Sequence, residues 1–246
     1  YPAAKIRLQN LFCSATIAIS ESVRSEILAR NMDPSKVITI YNAINTEKFQ
    51  YIPRNSSRFL NPENKIELGN VARIFPAKKG QDTLVRAVEL LISKYPHLHC
   101  RFAGEVYKGQ QDAYQHMLSY IRAHHLDDHI SFLGNVNDIP AFLRDIDIFI
   151  LPSNFEGFGI SLIEAMSTGL PSIASNLEGP AEIISSPELG ILFTAGNAAE
   201  LAEAIDQMIR NYTQYDPCRI SAYVKKNFDI ETMVSKHLAL YQTLSE

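Results

Sequence analysis

Cysteine is scarce in this sequence: Cys13, Cys100 and Cys218 are odd in number and widely spaced. No pair has the short C-x-x-C spacing of a zinc or redox site. The expectation is buried free thiols in a reducing compartment, hence a cytoplasmic protein. Long apolar runs are missing too, and none approaches the ~20 residues that cross a bilayer. The chain opens on Tyr1-Pro2-Ala3-Ala4-Lys5, without Met or the apolar core of a signal peptide, which reads as a fragment or a processed product. A basic excess is also absent, with 23 Lys and Arg against 27 Asp and Glu and a net charge of −4. Domains that grip a phosphate backbone usually carry the opposite balance, so nucleic acid is not an expected partner.

What remains is an ordinary globular composition, 46% apolar and 20% charged over 246 residues, enough to bury a sizeable core. Short apolar runs alternate with amphipathic stretches, the pattern of a layered α/β domain. The expected strands are Ala15–Ile19, Val37–Tyr41, Ile66–Ala72, Leu98–Ala103, Ile130–Phe132, Ile146–Leu151, Pro171–Ala174 and Gly190–Phe193. Between them, Thr83–Ser93 sets Leu84, Val88 and Leu91 on one helical face. Ala198–Ile209 does the same with Leu201, Ile205 and Met208, behind Asn197 as N-cap. Strands joined by helices run parallel, so a Rossmann-like, doubly wound parallel sheet follows. Tyr51–Lys65, rich in Pro, Asn, Ser and charge without a period, reads as a linker. The two strands before it are too few to fold alone.

Doubly wound sheets bind ligands beyond the carboxyl ends of their strands, which directs attention to the loops there. After Ile146–Leu151 comes Pro152-Ser153-Asn154-Phe155-Glu156-Gly157-Phe158-Gly159-Ile160-Ser161-Leu162-Ile163-Glu164. Gly157 and Gly159 allow close backbone approach, and the helix beginning after them offers free N–H groups to a phosphate. A dinucleotide G-x-G-x-x-G fingerprint fails at Leu162. Glu156 in the loop and Glu164 in the second helical turn, ~12 Å apart if the span were all helix, could each accept hydrogen bonds from one hydroxyl-rich ring. A ligand shaped as ribose, diphosphate and sugar suits that spacing. After Ile66–Ala72, Arg73 at the strand end and Lys79 at the start of the next helix could neutralise a departing diphosphate. His124, His125 and His129 suggest a metal by spacing, but no companion ligand motif appears and an exposed polar turn is expected.

Together these residues resemble the GT-B glycosyltransferases, specifically the large family-four group of retaining enzymes (glycosyl transferases group 1). The hallmark is a Glu-x7-Glu motif, here Glu156 to Glu164, followed by Ala165-Met166-Ser167-Thr168-Gly169-Leu170-Pro171. Arg73 and Lys79-Gly80 match in spacing and position. Further similarities lie in Ile17-Ala18-Ile19-Ser20-Glu21-Ser22, in Tyr41-Asn42-Ala43-Ile44-Asn45 with Phe49, in Phe132-Leu133-Gly134-Asn135-Val136 and in Gly179-Pro180-Ala181-Glu182. Ala43 and Asn45 depart from the usual Gly and Asp.

The resemblance implies the C-terminal half of a GT-B fold. Residues 1–55 would end the N-terminal acceptor domain and form the linker, residues 56–227 the nucleotide-sugar-binding domain, and residues 228–246 a crossover helix. Arg73, Lys79 and Glu156 would serve catalysis, the first two on the diphosphate and Glu156 at the donor sugar. Gly157, Phe158, Gly159, Ile160 and Ser161 would bind sugar hydroxyls and phosphate through the backbone, Glu164 the ribose, and Val136 the base through its main chain. The implied reaction is metal-free, needs no cofactor, retains anomeric configuration and uses a nucleoside-diphosphate sugar, UDP-sugar foremost. The acceptor would be a glycan or lipid-linked molecule held by the preceding domain. Such acceptors leave room for peripheral contact with the cytoplasmic membrane face, and this chain alone would turn over little. Two other readings of the same residues stay open: a GT-B nucleotide-sugar isomerase, and a non-catalytic nucleotide-sugar-binding module.

Overall fold

The computed structural model describes Leu8, residues 10–51, Pro53 and residues 64–245; most of the expected linker lies outside the described residues. All eight expected strands form, with ends shifted by two residues at most. β1 (Thr16–Ala18) and β2 (Val37–Thr39) make a two-stranded parallel sheet, connected through α1 (Glu21–Ala29). The other six are β3 (Ile66–Val71), β4 (Leu98–Ala103), β5 (Ile130–Phe132), β6 (Ile148–Leu151), β7 (Ser172–Ser175) and β8 (Gly190–Phe193). They form one parallel sheet in the order β5-β4-β3-β6-β7-β8. The chain winds outward from β3 in one direction and then from β6 in the other. The order therefore reverses between β3 and β6, opening a crevice beyond their carboxyl ends.

Burial explains why these segments are strands. β6 reads Ile-Phe-Ile-Leu and every residue is buried, as expected of a central strand covered by helices on both faces. The helices are α2 (Pro76–Lys79), α3 (Gln81–Leu91), α4 (Gln111–Ala123), α5 (Ile139–Arg144), α6 (Ile160–Ser167), α7 (Glu178–Ile183), α8 (Ala198–Arg210), α9 (Pro217–Phe228) and α10 (Ile230–Ser245). α3 buries Leu84, Val85, Val88 and Leu91; α8 buries Leu201, Ile205 and Met208. The Asn197 side chain accepts from Glu200 N at 3.1 Å, the expected N-cap.

Three sequence expectations shift. The terminal helix starts at Ile230, because Phe228 closes α9 and Asp229 stands between the two helices. Asp229 accepts from Glu231 N at 2.9 Å and from Thr46 Oγ1, holding the break in place. The thiols are not all buried: Cys100 is, Cys13 is half-buried, and Cys218 is exposed in the first turn of α9. Lys79 closes the short helix α2 rather than opening α3, since Gly80 takes φ +63° between them. Among the described residues no helix is long and apolar enough to cross a membrane, and no group of three or more His, Cys, Asp or Glu could hold a metal.

Candidate functional site

Of the four charged residues that the sequence singles out, Lys79 and Glu156 meet in direct contact where the loops after β3 and β6 approach each other, whereas Arg73 and Glu164 have other neighbours. Lys79 Nζ lies 2.8 Å from Glu156 Oε2, with 29% and 16% of the two side chains exposed. That pair joins the loop after β3 to the loop after β6, 77 residues apart in sequence. Ser153 Oγ donates to the same Glu156 oxygen at 3.3 Å. The two loops also share backbone bonds, with Asn154 N and Phe155 N both donating to Lys78 O at 2.9 and 3.1 Å. Their approach is so close that a Cβ on Gly80 would lie 1.8 Å from Pro152 O. Only glycine meets both that distance and the left-handed backbone there.

Arg73 lies two residues beyond β3, exposed, with its guanidinium 5.6 Å from the centre of the Tyr107 ring. Tyr107 in turn stacks on Phe75 at 5.4 Å and 8°. Arg73, Glu105, Tyr107, Lys108 and Asn135 help to line a cleft of about 450 Å³. Val136, half-buried, directly follows Asn135 in the loop after β5. The cleft has two cations, Arg73 and Lys108, one carboxylate, Glu105, and an aromatic face, features that suit a flat ring bearing polar and anionic substituents.

α6 begins beyond Gly159, whose φ is +112° and which offers no side-chain cap. Leu162 N and Ile163 N reach back to Gly159 O at 3.0 and 3.2 Å. The first-turn residues Ile160 and Ser161 sit at the positive end of the helix, Ile160 exposed and Ser161 half-buried. A Cβ on Gly157 would meet nothing within 4 Å, whereas the Gly157 carbonyl packs against Gly179 of α7 so closely that a Cβ on Gly179 would lie 2.7 Å from it. The Phe158 side chain is buried, its ring centre 5.8 Å from that of Tyr41 and 5.6 Å from that of Phe228, which anchors the loop.

The two glutamates have different surroundings. Glu156 is paired with a cation. Glu164, in the second turn of α6, makes no side-chain hydrogen bond among the described residues, and burial pushes its carboxyl up to about 7 against the opposing pull of Lys48. A carboxylate kept short of partners in this way is ready to accept hydroxyl donors.

Sequence reasoning missed Gln81 and Glu182 as structural ties. Gln81 is fully buried; its Oε1 accepts from Phe75 N at 3.3 Å and its Nε2 donates to Arg73 O at 3.0 Å. A signal existed, because Gln81, Leu84, Val85 and Val88 share the buried face of α3, and an amide on such a face needs partners. Glu182 accepts from Glu21 N at 2.9 Å, Ser22 N at 2.8 Å and Tyr41 Oη at 2.8 Å, fastening α7 to the β1–β2 sheet. Of the three clustered histidines, His124 pairs with Glu89, and His129 Nδ1 lies 2.8 Å from Leu98 O.

The comparisons agree with this geometry. Residues 52–226 match the family model for glycosyl transferases group 1. The chain is 27% identical over 207 residues to the lipopolysaccharide core biosynthesis mannosyltransferase LpsB of Rhizobium meliloti, covering 77% of this chain and 59% of that protein. It is 26% identical over 215 residues to a phosphatidyl-myo-inositol mannosyltransferase of Mycobacterium leprae, covering 86% and 54%. The chain thus spans little more than half the length of these curated relatives. Among solved structures, Anabaena Alr3699/HepE in complex with UDP superposes with a TM-score of 0.87 at 25% identity, over 100% of this chain and 68% of that one. A glycosyltransferase from Rickettsia africae superposes at 0.89 with 22% identity, over 100% and 68%, and speaks for the fold. A Rossmann-like sheet with its charged pair at the switch point, and a family match over most of its length, place this chain in the glycosyl transferases group 1 family, as a domain of the GT-B fold.

Proposed function

We propose that the chain forms the donor site of a retaining glycosyltransferase, which moves a sugar from a nucleoside-diphosphate sugar to a glycan or lipid-linked acceptor. The observation that carries this reading is the Lys79–Glu156 pair at 2.8 Å, set at the switch point beside the uncapped start of α6. Phosphate would sit on the first turn of α6 with Arg73 and Lys79, where charge developing on the leaving diphosphate is neutralised. Glu156 would hold the donor sugar while keeping Lys79 oriented. Glu164 would accept the ribose hydroxyls, and the backbone at Val136 would border the base. Uridine is the favoured base because the similar HepE structures were solved with UDP and with UDP-glucose. With Arg73 and Lys79 both supplied to the diphosphate, the proposed reaction would need no metal, and turnover of the full protein should persist in chelator.

The test is thermal stabilisation. UDP at about 100 times its dissociation constant should stabilise the chain by ~2.7 kcal/mol, and Lys79→Ala or Glu164→Ala should remove most of that gain. If no nucleoside diphosphate raises the melting midpoint, the proposal fails. Incubating the full-length protein with donor alone separates transfer from isomerisation, since an isomerase changes the sugar without acceptor.

A further inference from the structure

The two cations of the donor site share one loop, residues 72–80, and that loop has to hold a single shape for Arg73 and Lys79 to serve one diphosphate. Its first half is pinned to the strand side: Ala72 N donates to Ala103 O at 3.0 Å and Ile74 N to Glu105 O at 2.8 Å. Its second half is the four-residue helix α2, whose N-cap Phe75 supplies no side-chain cap. Between the halves, Tyr107 offers ring contacts to Arg73 and Phe75, and one side chain hydrogen-bonds to the backbone of both. The Gln81 amide, fully buried, receives the Phe75 N–H on one atom and donates to the Arg73 carbonyl with the other. The first residue of α3 therefore ties the residue carrying one cation to the start of the helix that carries the other.

We infer that Gln81 is a positioning residue for the diphosphate site: its side-chain amide sets the loop conformation that aims Arg73 and Lys79 at one ligand. Three observations support a positioning role over simple core filling. An apolar residue of similar length would fill the same space on the buried face of α3, next to Leu84, Val85 and Val88, at lower desolvation cost. Both amide atoms are used, and both on backbone groups of the cation-bearing loop. Lys78 O, one residue before Lys79, receives Asn154 N and Phe155 N from the loop after β6, so a shift of 72–80 is passed directly to Glu156. The amide thus governs the geometry of the Lys79–Glu156 pair without touching either residue.

This inference rests on the proposed donor site, and the experiment separates the two. Gln81→Met keeps length and burial and removes both hydrogen bonds. Gln81→Glu keeps the acceptor for Phe75 N and, protonated as a fully buried carboxyl is, can still donate its O–H to Arg73 O. Amide hydrogen exchange on the intact chain should speed up by about tenfold or more across residues 73–80 in Gln81→Met, and less in Gln81→Glu, while β3 and β6 keep their protection. Calorimetry should show UDP affinity falling about tenfold in Gln81→Met, the loss expected of one displaced charged contact, while affinity for uridine, which lacks the diphosphate, holds within about twofold. A purely structural glutamine would lower the melting midpoint and move UDP and uridine affinities together. Unchanged exchange in a folded Gln81→Met protein overturns the inference, as does wild-type UDP affinity in that variant. If the unsubstituted chain binds no nucleoside diphosphate, the donor-site proposal falls, and the exchange experiment alone decides whether Gln81 shapes the loop.

Discussion

Glu164 carries the clearest thermodynamic signature of any single residue in the site. Burial raises its folded pKa to about 7 from an ordinary 4.5, so the folded state holds a proton that the unfolded chain releases between those values. A raised carboxyl works against folding as pH rises: the penalty is absent below about pH 4.5, grows through the window and is complete above about 7. Glu164→Gln should therefore stabilise the free chain by ~1–3 kcal/mol at pH 8 and by almost nothing at pH 4.5, as urea unfolding at the two values would show. The same variant should bind UDP more weakly, because a carboxylate accepts two ribose hydroxyls better than an amide does. Stability and binding moving in opposite directions at one residue is the mark of a group held strained for a ligand. Glu156 differs because Lys79 is already its partner. The motif letters show two glutamates eight residues apart; their unlike environments come from the neighbours that folding brings.

At the scale of elements, the junctions between helices and loops bear most of the weight. Gly80 holds the turn between α2 and α3 at φ +63° with Pro152 O where a side chain would begin. Gly80→Ala should cost several kcal/mol, enough to lower the melting midpoint by ~10 °C or more in a chain of this size, because strain and backbone overlap act together. Asp229 does similar work between α9 and α10, and its carboxyl, opposed by burial, is held below the usual range by hydrogen bonds from Thr46 and from the Glu231 and Thr46 backbone. Asp229→Ala should lose ~1–2 kcal/mol and speed hydrogen exchange in the first turn of α10, with the six-stranded sheet unaffected. Elements with a strong period or a continuous apolar run, such as α3, α8 and β6, are legible in the sequence. α4 is weaker: its fully buried residues are only Met117 and Ile121, set among Asp112, Gln115 and His116, so its stripe is faint. The α9–α10 break is equally faint, since Asp229 looks like any polar residue on a helix until Thr46 reaches it.

For the whole molecule, the question is how the small β1–β2 sheet is held to the large one. Among the described residues its own cluster is small, with Ala18, Met32 and Val37 buried and Val23, Ile27 and Leu28 packed against them. The fastening comes from Glu182, whose carboxylate takes three donors from the first segment, and from Ile44, whose N donates to Phe228 O at 3.0 Å and whose O accepts from Ile230 N at 2.9 Å. Glu182→Ala should free the start of α1, seen as faster exchange at Glu21 and Ser22 with the β3–β6 core still protected, at a cost of ~1–3 kcal/mol. Much of the architecture is written locally. Apolar runs and periodic stripes dictate strands and helices, and parallel strands with helical crossovers dictate a doubly wound sheet, because few other layerings bury those faces. The Glu156–Glu164 motif and the Arg73–Lys79 spacing are likewise legible, since each lies within one loop and its adjoining helix. Only the folded chain decided that Lys79 meets Glu156, that Gln81 braces the loop, and that Glu182 joins two sheets. Those contacts link residues 77, 8 and up to 161 positions apart through side chains, and where a side chain finds its partner is set by packing rather than by any pattern along the chain.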